Sequence, residues 1–314
     1  MLLAACLFTT LVAHAQGYPS RPLRIVVPYA AGGSTDVLAR LVGQKLNEAL
    51  GQPVVIDNRP GGGTLIATEI VVRAGADGHT LLMATPALPV APALYVNLPY
   101  DVLRDLAAVT NIAGTSNVLV VHPSLAASSV RELIALAKEQ PGKHTFGTSG
   151  IGGASHLATE LFRSQAGINV VHVPYKGGAV AITDLLGGRL TFMFANLTTA
   201  QPHIKTGRLR ALAIGTAQRS VLAPELPTVA EAGVAGYEAN NWNGVVVPAG
   251  TPRATIERLQ AAIRSIVVAH DVREKLLAAA FEPIADTPAE FSRYLAAERV
   301  KWGKVVKDAG IKPD

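Results

Sequence analysis

Apolar residues in this chain fall in short runs of four to eight, separated by longer amphipathic stretches. Residues 23–28, Leu-Arg-Ile-Val-Val-Pro, form such a run and read as a buried strand. Ser34-Thr35-Asp36 then supplies helix-capping chemistry. The stretch after it places Leu38, Leu41, Val42, Leu46 and Ala49 on one helical face, with Gly51 as its stop. Strands are predicted over 53–56 and 80–84, with a helix over 64–73 between them. The pattern restarts with a strand at 118–121 and a helix opened by the capping box Ser129-Val130-Arg131-Glu132. Residues 143–147, 170–173, 190–194 and 209–214 read as further strands with helices between. After a Pro/Gly-rich passage over 224–236, a strand at 244–247 leads to helices from Pro252 and from Pro288. Alternating strands and helices imply the α/β class, with mainly parallel sheets flanked by helices. The two runs of the pattern imply two sheets, and 314 residues suit two domains of roughly 150 each.

Composition narrows the function. The chain is 49% hydrophobic and only 16% charged, which excludes a disordered protein. Past residue 20 no uncharged apolar stretch reaches the ~18 residues of a membrane span. Net charge is +5, and no basic run exceeds a dipeptide, so there is no footprint for nucleic acid. Residues 1–15 differ: they are uncharged, apolar from Leu2 to Val12, and end Ala13-His14-Ala15. That small-x-small ending resembles a signal-peptidase site, with cleavage after Ala15 and export to the periplasm. The basic start of a signal peptide is missing, as if the start codon were placed too far downstream. In a competing reading, Leu3-Ala4-Ala5-Cys6 is a lipoprotein box, with only five residues before Cys6. Cleavage after Ala15 would leave a mature chain without cysteine, excluding disulfides, cysteine zinc sites and thiol nucleophiles.

Two loops carry the candidate chemistry. One runs Pro28-Tyr29-Ala30-Ala31-Gly32-Gly33-Ser34-Thr35-Asp36, the other Gly147-Thr148-Ser149-Gly150-Ile151-Gly152-Gly153-Ala154-Ser155-His156. Each leaves a strand end, turns through glycines and enters a helix, where free amides and the helix dipole favour anions. Two such loops facing each other would hold both ends of a small dicarboxylate. Neither loop has a nucleotide fingerprint, and the second fails the nucleophile elbow because Ile151 replaces its glycine. The histidines are scattered, without metal-ligand spacing, so no metal and no cofactor is implied. Asp36 reads as a helix cap or as a partner for a substrate ammonium. Trp242 reads as core and Lys176 as a solvated loop residue able to steer anions. A rival reading makes Ser149 and His156 a hydrolase or isomerase pair without an identifiable third member.

Further segments carry a resemblance. They are Asn58-Arg59-Pro60-Gly61, Asp77-Gly78-His79-Thr80-Leu81-Leu82-Met83, His172-Val173-Pro174-Tyr175-Lys176-Gly177 and Thr183-Asp184-Leu185-Leu186-Gly187-Gly188. Pro227-Thr228-Val229-Ala230-Glu231-Ala232-Gly233 and Lys301-Trp302-Gly303-Lys304-Val305-Val306 complete the series. In this order, together with the first loop, they resemble the Bug-type periplasmic solute-binding proteins of tripartite tricarboxylate transporters, along essentially the whole mature chain. The resemblance implies a two-domain clamshell, with domain 1 built from 16–120 plus 237–314 and domain 2 from 121–236. It implies a small carboxylate in the cleft (a di- or tricarboxylate, acidic amino acid or aromatic acid) and delivery to a membrane permease. Carried over, the ligand-binding candidates are Tyr29, Ala30, Gly33, Ser34 and Asp36 on one lip. On the other they are Thr148, Ser149, Gly152, Gly153 and Ala154, with Thr85 beside them. The family often has Asp where Ala195 sits and a small hydroxyl residue where Asn241 sits, and the lost acid argues against a ligand with an ammonium group. A monomer suits a diffusing carrier. A sensor docking to a membrane signalling protein has the same sequence signature.

Overall fold

A computed structural model of the chain describes residues 17–95, 97–308 and 310–311. The leader expected over 1–15, with Cys6 and the cleavage point after Ala15, lies outside them. The chain opens with β1 (Leu23–Val27), α1 (Ser34–Leu50), β2 (Val54–Asn58), a 3-10 turn (Gly62–Thr64), α2 (Leu65–Val72), β3 (Thr80–Ala84) and α3 (Ala87–Leu94). The long β4 (Leu106–Val121) follows. Then come α4 (Val130–Glu139), β5 (Thr145–Thr148), α5 (Ala154–Ala166), β6 (Val171–Pro174), α6 (Gly178–Leu186), β7 (Phe192–Asn196), α7 (Leu197–Lys205) and β8 (Arg210–Ile214). The chain finishes with β9 (Asn240–Pro248), α8 (Arg253–Val268), α9 (His270–Ala278), β10 (Glu282–Pro283) and α10 (Pro288–Asp308).

The strands lie in the order β2-β1-β3-β9-β4-β7-β5-β6, with β8 and β10 also paired to β4. Both outer groups are parallel: β1 runs between β2 and β3, and β5 between β6 and β7. The centre is antiparallel. β4 pairs with β9 from Leu106 opposite Pro248 to Ser116 opposite Asn240, and its last five residues pair with β7. One strand therefore joins the two βα groups that the sequence separates into two sheets.

The apolar stripe of α1 packs as its spacing demands. Leu38, Val42 and Leu46 are buried in one core with Leu23, Ile25, Leu259 and Ile263. Each such burial contributes about 1.5–3 kcal/mol. Ala49, in the last turn, is exposed, and the helix stops at Gly51, whose left-handed φ of 68° lets its N–H reach Asn47 O. The Ser129 cap forms, its Oγ accepting from Glu132 N at 3.2 Å; Glu132 itself accepts from Ser128 N, one residue earlier than a capping box requires. Trp242 of β9 is buried against Phe291 and Tyr294, and its indole N–H and that of Trp302 both donate to Glu298.

Candidate functional site

The carboxyl ends of β1, β3, β5 and β7 meet around one small cavity, as open α/β sheets arrange their ligand sites. It measures about 30 Å³, which admits roughly two waters. Tyr29, Gly33, Ser34 and Thr35 enter it after β1, and Thr85 after β3. Ser149, Ala154 and Ser155 enter after β5, Gly178 opens α6, and Met193 to Asn196 close β7. Thr199 and Asn241 complete the wall. No lining side chain carries a charge. Four helices, α1, α5, α6 and α7, begin within this set. The first amides of each have no carbonyl partner inside their own helix, and the dipoles add positive potential. Backbone donors and positive potential therefore converge on a cavity that has no charged side chain.

Side chains tie the wall together. Tyr29 Oη lies 3.1 Å from Thr85 Oγ1, and burial pushes the phenol up to about 12, so it stays a neutral hydrogen-bonding group. The Asn196 amide donates to Ser34 Oγ, and Asn241 Nδ2 donates to Asn196 Oδ1 at 2.5 Å. This chain of amides links the starts of α1, α7 and β9. Ser155 Oγ accepts from Ser149 N at 2.8 Å and lies 3.0 Å from Ser149 Oγ, which fixes the second loop.

Six residues expected from the sequence line the cavity: Tyr29, Gly33, Ser34, Thr85, Ser149 and Ala154. Ala30, Asp36, Thr148, Gly152 and Gly153 do not; each is engaged in holding the loops. The Ala30 amide donates to Lys176 O at 3.0 Å. Asp36 is buried and accepts from Gly32 N, Arg40 Nε and Asn58 Nδ2 at 2.9–3.0 Å, locking the first glycine turn. Burial pushes its carboxyl up, but those hydrogen bonds outweigh burial and hold it below the usual carboxylate range. Thr148 Oγ1 meets His172 Nε2 at 2.7 Å. Gly152 packs so closely on α3 that a Cβ there would sit 2.4 Å from Leu94 Cδ1. Gly153 caps α5.

Thr35 and Ser155, which lie in the two candidate loops without being singled out as ligand contacts, also line the cavity, as do Gly178, Met193, Phe194, Asn196 and Thr199, which the sequence reading left unmarked; Ala195 and Asn241 stood out only as departures from a family pattern. Asn196 had a usable signal: it ends a strand and caps the next helix, as the loop residues do, but without glycines. The rival pair does not assemble. His156 Nδ1 accepts from Gly152 N at 3.0 Å, and the ring is buried in a stack on His172, with centroids 4.2 Å apart. Burial above all, then the charges of His172 and Arg163, push it down to about 3, so it is neutral. Among the described residues no group of three or more His, Cys, Asp or Glu is placed to hold a metal.

Residues 38–311 match the model of TctC, the tripartite tricarboxylate transporter family receptor. The chain belongs to the TctC family. This TctC protein is 38% identical to BugT of Bordetella pertussis over 300 residues, covering 95% of this chain and 92% of BugT. Its fold matches that of Rpa4515 of Rhodopseudomonas palustris, solved with adipate. The TM-score is 0.91 at 38% identity, covering 95% of this chain and all of the other. MatC of the same species, solved with malate, gives a TM-score of 0.88 at 28% identity, covering 92% of this chain and all of MatC. TctC proteins are solute-binding proteins, not enzymes, and the fold is the two-domain type of periplasmic binding proteins. Among the described residues no helix is long and apolar enough to cross a membrane.

Proposed function

We propose that this chain is exported, loses residues 1–15, and works as a periplasmic monomer that captures a small carboxylate and delivers it to a tripartite tricarboxylate transporter permease. The observation that carries this reading is the meeting of four helix N-termini at a cavity without a charged side chain. A hydrogen bond to a charged group contributes about 1.5–3 kcal/mol. Four of them, less ordering costs, reach the roughly −8 kcal/mol of micromolar binding. The ligand lies between lobe 1 (16–120 with 237–314) and lobe 2 (121–236), held by Tyr29, Gly33, Ser34, Thr85, Ser149 and Ala154, with Asn196 and Asn241 added to the set. Ala30, Asp36, Thr148, Gly152 and Gly153 support those residues. Met193, Phe194 and Ala195 offer an apolar wall for a hydrocarbon body, and the lining has no acid for an ammonium group.

Contacts across the cleft, Ala30 N to Lys176 O at 3.0 Å and Asn196 to Ser34, belong to a closed form. The ligand enters when they separate, and its contacts to both lobes favour reclosure. The experiment is thermal unfolding of the mature protein against a panel of carboxylates, amino acids and neutral sugars. A ligand at about 100 times its Kd stabilises by roughly 2.7 kcal/mol, which raises Tm by about 4 °C for a protein of this size. Carboxylates should shift Tm and neutral sugars should not. A panel of carboxylates that leaves Tm unchanged removes the reading.

A further inference from the structure

The loops that lead into α1 and α5 share one build. Gly32 has a left-handed φ of 86°, Gly33 caps α1, and the third residue of that helix, Asp36, accepts the Gly32 amide at 2.9 Å. Gly152 has a φ of 70°, Gly153 caps α5, and the third residue of that helix, His156, accepts the Gly152 amide on Nδ1 at 3.0 Å. The caps agree as well, with φ and ψ of −76° and 166° at Gly33 and −69° and 162° at Gly153. Helix α4 makes the same bond, from Ser128 N to Glu132. Two of these three helices use a carboxylate, the usual acceptor at a helix start. Helix α5 uses an imidazole.

Four amides of the second loop already have protein acceptors. Ser149 N donates to Ser155 Oγ, Gly150 N to Thr148 Oγ1, Gly152 N to His156 and Gly153 N to Gly150 O. The next amides, of Ala154 and Ser155, belong to the first turn of α5 and precede its first intrahelical bond, from Leu157 N to Gly153 O. Both residues line the first cavity. The His156 ring is held in place by a stack, lying 4.2 Å from His172, which lies 4.9 Å from Phe146, all nearly parallel. An accepting Nδ1 puts the proton of the neutral ring on Nε2. Nε2 lies 3.7 Å from Glu160, which is paired with Arg163, and the acid favours that tautomer. A carboxylate at this position would stand one turn from Glu160 and add charge beneath amides that face an anion. The imidazole supplies the lone pair without the charge. At Asp36, Arg40 offsets the charge instead.

We infer that His156 is a positioning residue for ligand binding: its Nδ1 lone pair holds the Gly152 amide and so aims the amides of Ala154 and Ser155 at a carboxylate in the first cavity. This inference rests on the carboxylate reading of that cavity. The ring and the lone pair have separable roles, the one filling the core and the other setting affinity. His156→Phe keeps a ring and removes the acceptor. His156→Asn gives up the ring and keeps an acceptor, because Oδ1 stands as many bonds from the backbone as Nδ1 does. Phe162→Leu, further along α5 in the same core, lowers stability without touching the lone pair.

Isothermal titration of the mature protein near neutral pH tests this, with whichever of succinate, adipate, malate and benzoate binds the parent most tightly. His156→Phe should bind about tenfold more weakly than the parent, and His156→Asn within about threefold of it. Phe162→Leu should lower the urea midpoint and leave affinity within about twofold. Nitrogen NMR of the parent needs no substitution, and it decides the matter where His156→Phe does not fold. The His156 ring should carry its proton on Nε2 alone. Parent affinity in His156→Phe, a His156→Asn as weak as His156→Phe, or a Phe162→Leu weakened as much as either would reduce His156 to a core residue. Any of these, or a proton on Nδ1, overturns the inference and leaves the first cavity intact. If the parent binds none of the four acids, the reading of the first cavity fails and this one falls with it.

Discussion

Ala195→Asp places one negative charge in the wall of the proposed anion cavity. Ala195 is 1% exposed, lines the cavity, and sits opposite Val118 in the β4–β7 pair. None of the other lining residues has a charge to neutralise the new carboxylate. At about 5 Å from a bound carboxylate and an effective dielectric of about 20, the two charges repel by roughly 3 kcal/mol. That weakens binding by about two orders of magnitude. Burial raises the pKa of the new aspartic acid, so the loss should shrink as pH falls toward about 5 and the side chain takes a proton. Ala195→Asn adds the same bulk without charge and should lose less than about tenfold. The assay is isothermal titration between about pH 5 and pH 8, with the carboxylate that most stabilises the parent protein. Equal weakening in both variants would mean that volume matters there and charge does not. Full affinity in Ala195→Asp near neutral pH would mean that no anion binds beside β7.

Three further substitutions test the supports of the site. Gly152→Ala puts a methyl group 2.4 Å from Leu94 Cδ1 at a φ of +70°. It should cost about 1–3 kcal/mol in urea unfolding, and an unchanged midpoint would contradict the packing of this loop on α3. His156→Gln tests the buried neutral imidazole, whose pKa of about 3 lies below that of the unfolded chain. Between about pH 6.5 and pH 3 only the unfolded chain takes that proton, so stability falls on acidification by up to about 1.4 kcal/mol per unit. The variant should lose that slope, and a slope unchanged from the parent would assign it elsewhere. Asp36→Asn should cost about 1 kcal/mol near neutral pH, allowing for the exposure of Arg40. Because the folded pKa of Asp36 lies below the unfolded one, the parent's advantage should vanish as pH falls through the folded value. A difference between parent and variant that persists in strong acid would contradict this.

Local chemistry made much of this fold legible. The strand Thr80–Ala84 coincides with its apolar run, and α1 starts at Ser34 and ends before Gly51 because its stripe and stop are written side by side. The same physics hid β4 from Leu106 to Asn117. Thr110, Asn111, Thr115, Ser116 and Asn117 are buried polar residues in a strand paired on both edges, so neither alternation nor an apolar run marks it. Helix α3 escaped notice because it carries Pro89 and Pro92 in eight residues. At the site, the two glycine loops were readable because strand end, glycine and helix start lie together in sequence. The distinction between lining and supporting residues was not. Ser34 and Asp36 share one turn, yet one faces the cavity and the other locks Gly32, and only folding separates them. Asn196 and Asn241 lie 45 residues apart and meet through pairing to β4 that no local pattern announces.

The central claim is that backbone amides at converging helix starts, not charged side chains, grip the ligand. A crystal structure of the mature protein with a stabilising carboxylate tests it most directly. The account predicts carboxylate oxygens within about 2.7–3.2 Å of the first amides of α1 and α5, beside Ser34 and Ala154. A carboxylate bound outside this cavity, or held there by an arginine or lysine in place of the amides, would contradict it.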